Sequence, residues 1–293
     1  MTTLCSIPIS SPLLNASGCY SSTLSQIQEL DQIPSCGAIV SKSCTIQPQF
    51  GNPHPRFYQD DKVCINSMGL PNFGHNYYSN ITTNKLYIQS VYPKTINDLD
   101  VLFNTKSMVI EVNMSCPNVN YKLDNYEECL DKIKLIKNNK IVGLKMSPIF
   151  DIQGYDIMSN LILKYDIDYI VCSNNIGNCL VVDWEKEETV IHPNFGLGGM
   201  SMKSVSLANV YNFSRRLGNR CDVVGCGGIE SGRDAFEYIL CGAKCVSIGS
   251  CLLKEGIGCF GRIEWELLEI MRNKGYRDVG EFCGMVKNCG SDL

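Results

Sequence analysis

No apolar run in this sequence approaches the roughly twenty residues that a bilayer-spanning helix needs, so no transmembrane segment is expected. The first fifteen residues lack a basic start and contain Pro8 and Pro12, which argues against an export signal. A basic excess is missing as well. The formal net charge is −4, and the longest charged clusters, such as Glu185-Lys186-Glu187-Glu188, are short and read as solvated loop charges. Neither nucleic acid nor an anionic membrane is therefore an expected partner. The chain holds 17 cysteines but no C-x-x-C pair, so a zinc ribbon or a thioredoxin-type motif is not supported, and no cysteine cluster has iron–sulfur ligand spacing. Several cysteines lie inside apolar runs (Cys172, Cys226, Cys245), where the residue behaves as a small hydrophobe; free thiols in a reducing cytosol are the simplest reading. No metal site is expected. Tandem repeats, low-complexity tracts and Ser/Gly linkers are absent too, so residues 1–293 read as one domain.

What is present is a rhythm. Short apolar runs alternate with longer amphipathic segments, the pattern of βα repeats around a parallel sheet. Eight candidate strands cover 12–15, 38–42, 86–90, 109–114, 141–146, 169–174, 222–226 and 245–249. Helix-like stretches lie near 21–31, 96–105, 125–138, 152–165, 203–217, 232–241 and 258–274. In 203–217, Val205, Ala208, Asn209 and Phe213 recur at helical spacing, and Arg215 and Arg216 close the segment where the helix dipole favours cations. Eight such units in 293 residues predict an α/β fold of the (β/α)8 barrel type, although a doubly wound sheet shares the rhythm. Two long inserts, 44–80 and 175–202, leave the C-terminal ends of strands, the face where barrel enzymes place their sites.

Polar residues gather at those strand ends. The first ends in Asn15-Ala16-Ser17-Gly18, the second in Ser41-Lys42-Ser43, the fourth in Asn113-Met114-Ser115-Cys116-Pro117-Asn118, the fifth at Lys145 and the sixth in Ser173-Asn174-Asn175. One such ending reads as a cap or turn. So many on one face predict a ligand-lined mouth. The seventh and eighth endings, with Gly227-Gly228 and Gly249-Ser250, suit a phosphate, because glycine admits close backbone approach and amides at a following helix start point at an anion. A lone lysine is usually a snorkelling surface residue. Lys42 and Lys145, however, both end apolar strands. Most of the cysteines should be inert packing residues, but after Cys116 the residue Pro117 stops the strand and the sequence turns polar. The three histidines, His54, His75 and His192, fall at none of the strand ends.

Five ordered motifs then carry a resemblance. Ser41-Lys42-Ser43-Cys44-Thr45, Gly51-Asn52-Pro53-His54-Pro55-Arg56, Asn66-Ser67-Met68-Gly69-Leu70-Pro71-Asn72, Asn113-Met114-Ser115-Cys116-Pro117-Asn118-Val119 and Asn174-Asn175-Ile176-Gly177-Asn178 resemble the signatures of class 1A dihydroorotate dehydrogenases, cytosolic and fumarate-dependent. The similarity runs in unbroken order from about Leu14 to the end. It implies oxidation of dihydroorotate to orotate in pyrimidine biosynthesis, with FMN as cofactor, fumarate reduced to succinate at the same site, and a homodimer. By that resemblance Cys116 is the catalytic base; a thiol suits the role because positive charge or donors can bring its pKa towards operating pH. Substrate falls to Lys42, Asn66, Asn113, Asn118, Asn174 and Asn175, with backbone groups of Met68, Gly69 and Leu70; amides offer donor and acceptor together to a ring of amides and carbonyls. FMN falls to Ser17, Gly18, Lys42, Ser43, Asn113, Lys145, Ser173, Gly199, Gly227, Gly228, Gly249 and Ser250, with Lys145 at the flavin N1/O2 edge.

The chain departs from the family pattern at Asn175, where the family has serine, and at Lys145-Met146-Ser147-Pro148, where it has Lys-x-Pro-Pro. It departs again at Asn120-Tyr121-Lys122-Leu123 after Val119, and at Val91, where the third strand lacks the usual glycine after Ser90. None of these removes a residue that the chemistry requires. Two other readings stay open: another FMN barrel acting on a pyrimidine, and a catalytically idle flavin-binding barrel, which fold alone does not separate from an enzyme.

Overall fold

Runs rich in Val, Ile and Leu, each only a few residues long and closed by Ser, Asn or Gly, form the strands of this protein, as their β-propensity and turn chemistry require. The computed structural model describes residues 2–114, 126–192 and 195–288. Eight strands, β1 (Leu13–Asn15), β2 (Ala38–Val40), β3 (Leu86–Val91), β4 (Val109–Asn113), β5 (Ile141–Lys145), β6 (Tyr169–Cys172), β7 (Asp222–Cys226) and β8 (Cys245–Ile248), pair in parallel and in chain order to close a barrel. The predicted (β/α)8 architecture is therefore present. Side chains alternate across the wall. Leu14, Ala38, Val40, Ile88, Val109, Tyr169, Val171, Val224 and Cys245 fill the interior. Their neighbours Leu13, Ile39, Ile110, Val112, Val142, Leu144, Ile170, Val223 and Val246 pack outward against the helices.

The outer layer comprises α1 (Leu24–Asp31), α2 (Asp98–Leu102), α3 (Tyr126–Ile136), α4 (Ile152–Lys164), α5 (Lys203–Leu217), α6 (Gly232–Leu240), α7 (Ser250–Glu255) and α8 (Gly258–Lys274). Local sequence starts several of them: Thr23 and Gln26 form a capping box on α1, and Asp151 and Ser231 cap α4 and α6. No helix among the described residues is long and apolar enough to cross a membrane.

Four expectations need correction. The strand predicted for 38–42 ends at Val40, because the Lys42 amide bonds to the Ser21 carbonyl instead of continuing the ladder. The strand predicted for 169–174 ends at Cys172, where Ser173 N turns to Cys226 O and Asn174 N to Met146 O. The helix expected over 96–105 has only five helical residues. On α5 the buried face is Ser206, Asn209, Val210, Phe213 and Leu217, so Val205 and Ala208 lie off the buried face.

Two features close the ends of the barrel. A hairpin of Thr2–Leu4 and Ile7–Ile9 packs Leu4 and Ile9 into the interior core, and its Cys5 amide donates to Asp222 Oδ2 at 2.7 Å. At the opposite end the two long inserts meet. Strands Phe57–Gln59 and Cys64–Asn66 from the first and Ile176–Cys179 and Phe195–Gly198 from the second build one antiparallel four-stranded sheet, with Gly196 opposite Asn66 and Gly198 opposite Cys64.

Candidate active site

A cavity of about 430 Å³ opens at the C-terminal end of the strands, bounded by the barrel and the insert sheet. Ser17 and Gly18 reach it from the end of β1, Lys42 and Ser43 from β2, Asn113 from β4, Lys145 from β5, Ser173, Asn174 and Asn175 from β6. Gly227 and Gly228 follow β7, and Gly249 and Ser250 follow β8. The inserts add Asn66, Met68, Leu70 and Gly199. Residues as far apart in the chain as Ser17 and Ser250 thus share one wall, because every parallel strand of a barrel delivers its last residues to the same face. Gly69 is the one predicted residue with described coordinates that does not line the cavity; it turns the chain between Met68 and Leu70 with φ +67°. Cys116 and Asn118 lie outside the described residues.

The polar groups of the wall hold one another in place. Ser17 Oγ donates to Ser41 O at 2.9 Å and contacts Ser43 Oγ at 3.0 Å, which in turn meets Ser90 Oγ at 2.9 Å. Asn113 Nδ2 donates to Ser43 Oγ at 3.2 Å, and Asn174 Nδ2 donates to Asn113 Oδ1 at 3.1 Å. The 66–70 loop is anchored by Asn72, buried behind it. Asn72 Nδ2 donates to Leu70 O at 2.8 Å, while its Oδ1 accepts from Gly74 N at 2.8 Å and from Thr45 N at 3.3 Å. This bond set ties the loop to the segment that follows β2. Gly18 sits against Lys42: at φ +80°, a Cβ there would come within 2.7 Å of Lys42 Nζ, so only glycine leaves the lysine its place.

Electrostatics separate the groups further. Lys145 is buried; burial pulls its pKa down, but the Cys226 and Glu111 charges and a hydrogen bond to Cys226 outweigh this and leave it above the ordinary lysine value. Cys19 and Cys64 also line the cavity, and burial pushes their thiols up to about 12 and about 11, far from a base at neutral pH. Ser173 Oγ is buried and has no hydrogen-bond partner among the described residues, an acceptor and donor left for something else.

The family model described as dihydroorotate dehydrogenase matches residues 1–271. This chain belongs to the dihydroorotate dehydrogenase family. Within it, the chain is 36% identical over 308 residues to "Dihydroorotate dehydrogenase A (fumarate)" of Lactococcus lactis subsp. cremoris, covering 98% of this chain and 99% of that protein. It is 39% identical over 300 residues to "Dihydroorotate dehydrogenase (fumarate)" of Trypanosoma cruzi, covering 94% of each. The fold matches ligand-free DHODH from Eimeria tenella with a TM-score of 0.78 at 18% identity, over 94% of this chain and 88% of that one. The resemblance read from the five motifs is thus borne out at the level of family and fold.

Sequence reading missed several lining residues, among them Phe57, Cys64, Met202 and Leu253. Apolar residues at a site carry no local signal; only the meeting of the two inserts places them there.

Proposed function

We propose that this chain is a single-domain, fumarate-dependent dihydroorotate dehydrogenase of pyrimidine biosynthesis that holds FMN and its substrate in the cavity at the barrel mouth. The observation that carries this reading is the convergence of Lys42, Lys145, Asn66, Asn113 and Asn174 on one 430 Å³ space in a chain of this family. The donor set fits the cofactor. Ser173 Oγ lacks a partner among the described residues, and Gly228, Gly249 and Ser250 line the cavity where barrels commonly take a phosphate. When bound, FMN supplies the hydride acceptor for dihydroorotate oxidation.

The chain's own residues do the rest. Asn66, Asn113 and Asn174 read the amide and carbonyl edges of the substrate, and the bonds among Asn113, Asn174 and Ser43 fix which way each amide points. Lys42 faces the substrate carboxylate, and Lys145 holds a positive charge beside the flavin. Cys116 takes the proton from dihydroorotate; the raised thiols of Cys19 and Cys64 support assigning that task elsewhere than to them. Fumarate, also a small planar carboxylate, fits the same lysine and asparagines, and one site used twice implies ping-pong kinetics. All 15 cysteines in the described residues are free, which supports a reducing cytosol, and the family resemblance supports a homodimer.

Purified protein should be yellow, bleach anaerobically with dihydroorotate, and regain colour with fumarate. A colourless protein, or one bleached only by dithionite, would instead favour an idle barrel.

A further inference from the structure

One layer beneath the cavity lies an acid that the mechanism above does not use. Glu111 sits in β4 between Ile110 and Val112, both packed outward, so its side chain points inward on the same side as Val109. It is 3% exposed. Register places Ser90 of β3 and Gly143 of β5 beside it, with Asn113 and Lys145 paired one layer above. Gly143 is also level with Tyr169 of β6, and the Tyr169 ring lies over it: a Cβ on Gly143 would fall 2.0 Å from the ring carbon that carries the hydroxyl. The phenol therefore crosses β5 towards the acid. Glu111 Oε1 and Tyr169 Oη are both buried and neither has a hydrogen-bond partner among the described residues.

A charged carboxylate would be poorly served here. The Ser17, Ser43 and Ser90 hydroxyls form a chain that ends on Ser41 O and competes for the one proton that Ser90 could give the acid. Glu111 Oε1 is left without a donor among the described residues. Burying an ionised carboxylate without donors costs far more than binding a proton.

We propose that Glu111 is a positioning residue for charge: it holds a proton at neutral pH, so the positive charge of Lys145 above it stays directed to the cavity and favours the reduced over the oxidised flavin. The flavin half of this inference rests on the function proposed above. Burial dominates at Glu111 and raises its pKa despite the opposing pull of Lys145 and Ser90. The raised value of Lys145 agrees with this, since Lys145 titrates at a pH where Glu111 has already ionised. Among the described residues, the other titratable groups around the pair are Tyr169 and Cys172 from β6, Cys226 from β7 and Cys19 after β1.

Infrared difference spectra of wild type minus Glu111→Gln, taken with or without cofactor, should show a protonated-carboxyl band at pH 7 that is lost at higher pH. Absence of that band at pH 7 overturns the proposal. In the flavin-loaded protein, the midpoint potential should bend downward with rising pH where the band disappears. The preference for reduced flavin should fall at least about tenfold there, about 30 mV for a two-electron couple. Glu111→Gln should lack the bend and Cys226→Ser should keep it; a bend unchanged in Glu111→Gln overturns the proposal. Should Glu111→Gln fail to fold, carbon-13 NMR titration of wild-type glutamate carboxyls reads the same proton, and a buried carboxyl already ionised at pH 7 overturns it. If wild type binds no flavin, both this role and the proposed function fall. If dihydroorotate bleaches wild type but the bend is missing, only this inference does.

Discussion

The two ends of the barrel are built from the same eight strands and differ in what they leave unsatisfied. At the N-terminal end the chain answers the carboxylates of Asp168 and Asp222. Asp168 Oδ2 accepts from Val142 N at 2.8 Å and pairs with Lys137 Nζ at 3.0 Å, Asp222 Oδ2 accepts from Cys5 N, and the first hairpin seals the interior with Leu4 and Ile9. At the C-terminal end two lysines, several asparagines and a buried serine surround open space. The difference teaches which end stores stability and which end awaits a ligand, the division of labour expected of barrel enzymes.

Substitutions at each end should separate the two. The largest effect is expected at the open end: Cys116→Ser should keep FMN but slow anaerobic flavin reduction by dihydroorotate by about 10²-fold or more at neutral pH, the scale of a lost general base. Near-normal single-turnover reduction would place the base elsewhere. At the closed end Leu4→Ala should cost about 2–5 kcal/mol in denaturant unfolding, the range for emptying a buried leucine site, and leave KM for dihydroorotate unchanged. A raised KM without lost stability would reverse the assignment of the two ends.

Gly18→Ala sharpens the contrast, because its methyl group meets Lys42 while the backbone stays at positive φ. Substrate affinity, read by equilibrium titration, should weaken by about tenfold, and stability should fall by about 1 kcal/mol; intact affinity would mean that Lys42 is not held where the substrate binds.

The smallest effect is a pH dependence behind the wall. His75 is buried, with Nε2 at 2.9 Å from Asn104 O and Nδ1 at 3.2 Å from Gln89 Nε2, so Nε2 donates, Nδ1 accepts and the ring is neutral. Burial depresses its pKa, against the opposing bond to Asn104. A histidine that is harder to protonate when folded makes the unfolded state bind more protons. Its contribution is therefore complete above the unfolded value near 6.5 and is lost as pH falls from there through the lower folded value. Melting temperature should drop over that window in wild type and drop less in His75→Gln; equal slopes would remove His75 as the cause.

Several parts of this molecule could be read from local pattern alone. The strands announce themselves as apolar runs closed by polar residues, and α5 and α8 begin and end where their sequence indicates. Lys42 and Lys145 were legible as site residues because a lysine ending an apolar strand is out of place on a surface. The face of α5 was less legible: Asn209 and Ser206 are buried polar residues, and Asn209 goes inward because its side chain bonds Ile149 N and O, a partner 60 residues away. Glu111 gave no signal, since one acid in an apolar strand reads like any surface position until the register sets it beside Gly143 and Tyr169.

From its order of residues alone this chain determined its periodicities, its caps and the motifs that mark its family, because each depends on neighbours a few positions apart. Tertiary structure alone decided that strands of two inserts, with paired residues more than a hundred positions apart, form one sheet, that the ends of eight strands share one cavity, and that an acid and a phenol come level with the same glycine beneath it. Those outcomes depend on barrel closure and strand register, which bring together groups that no local stretch of chain can place.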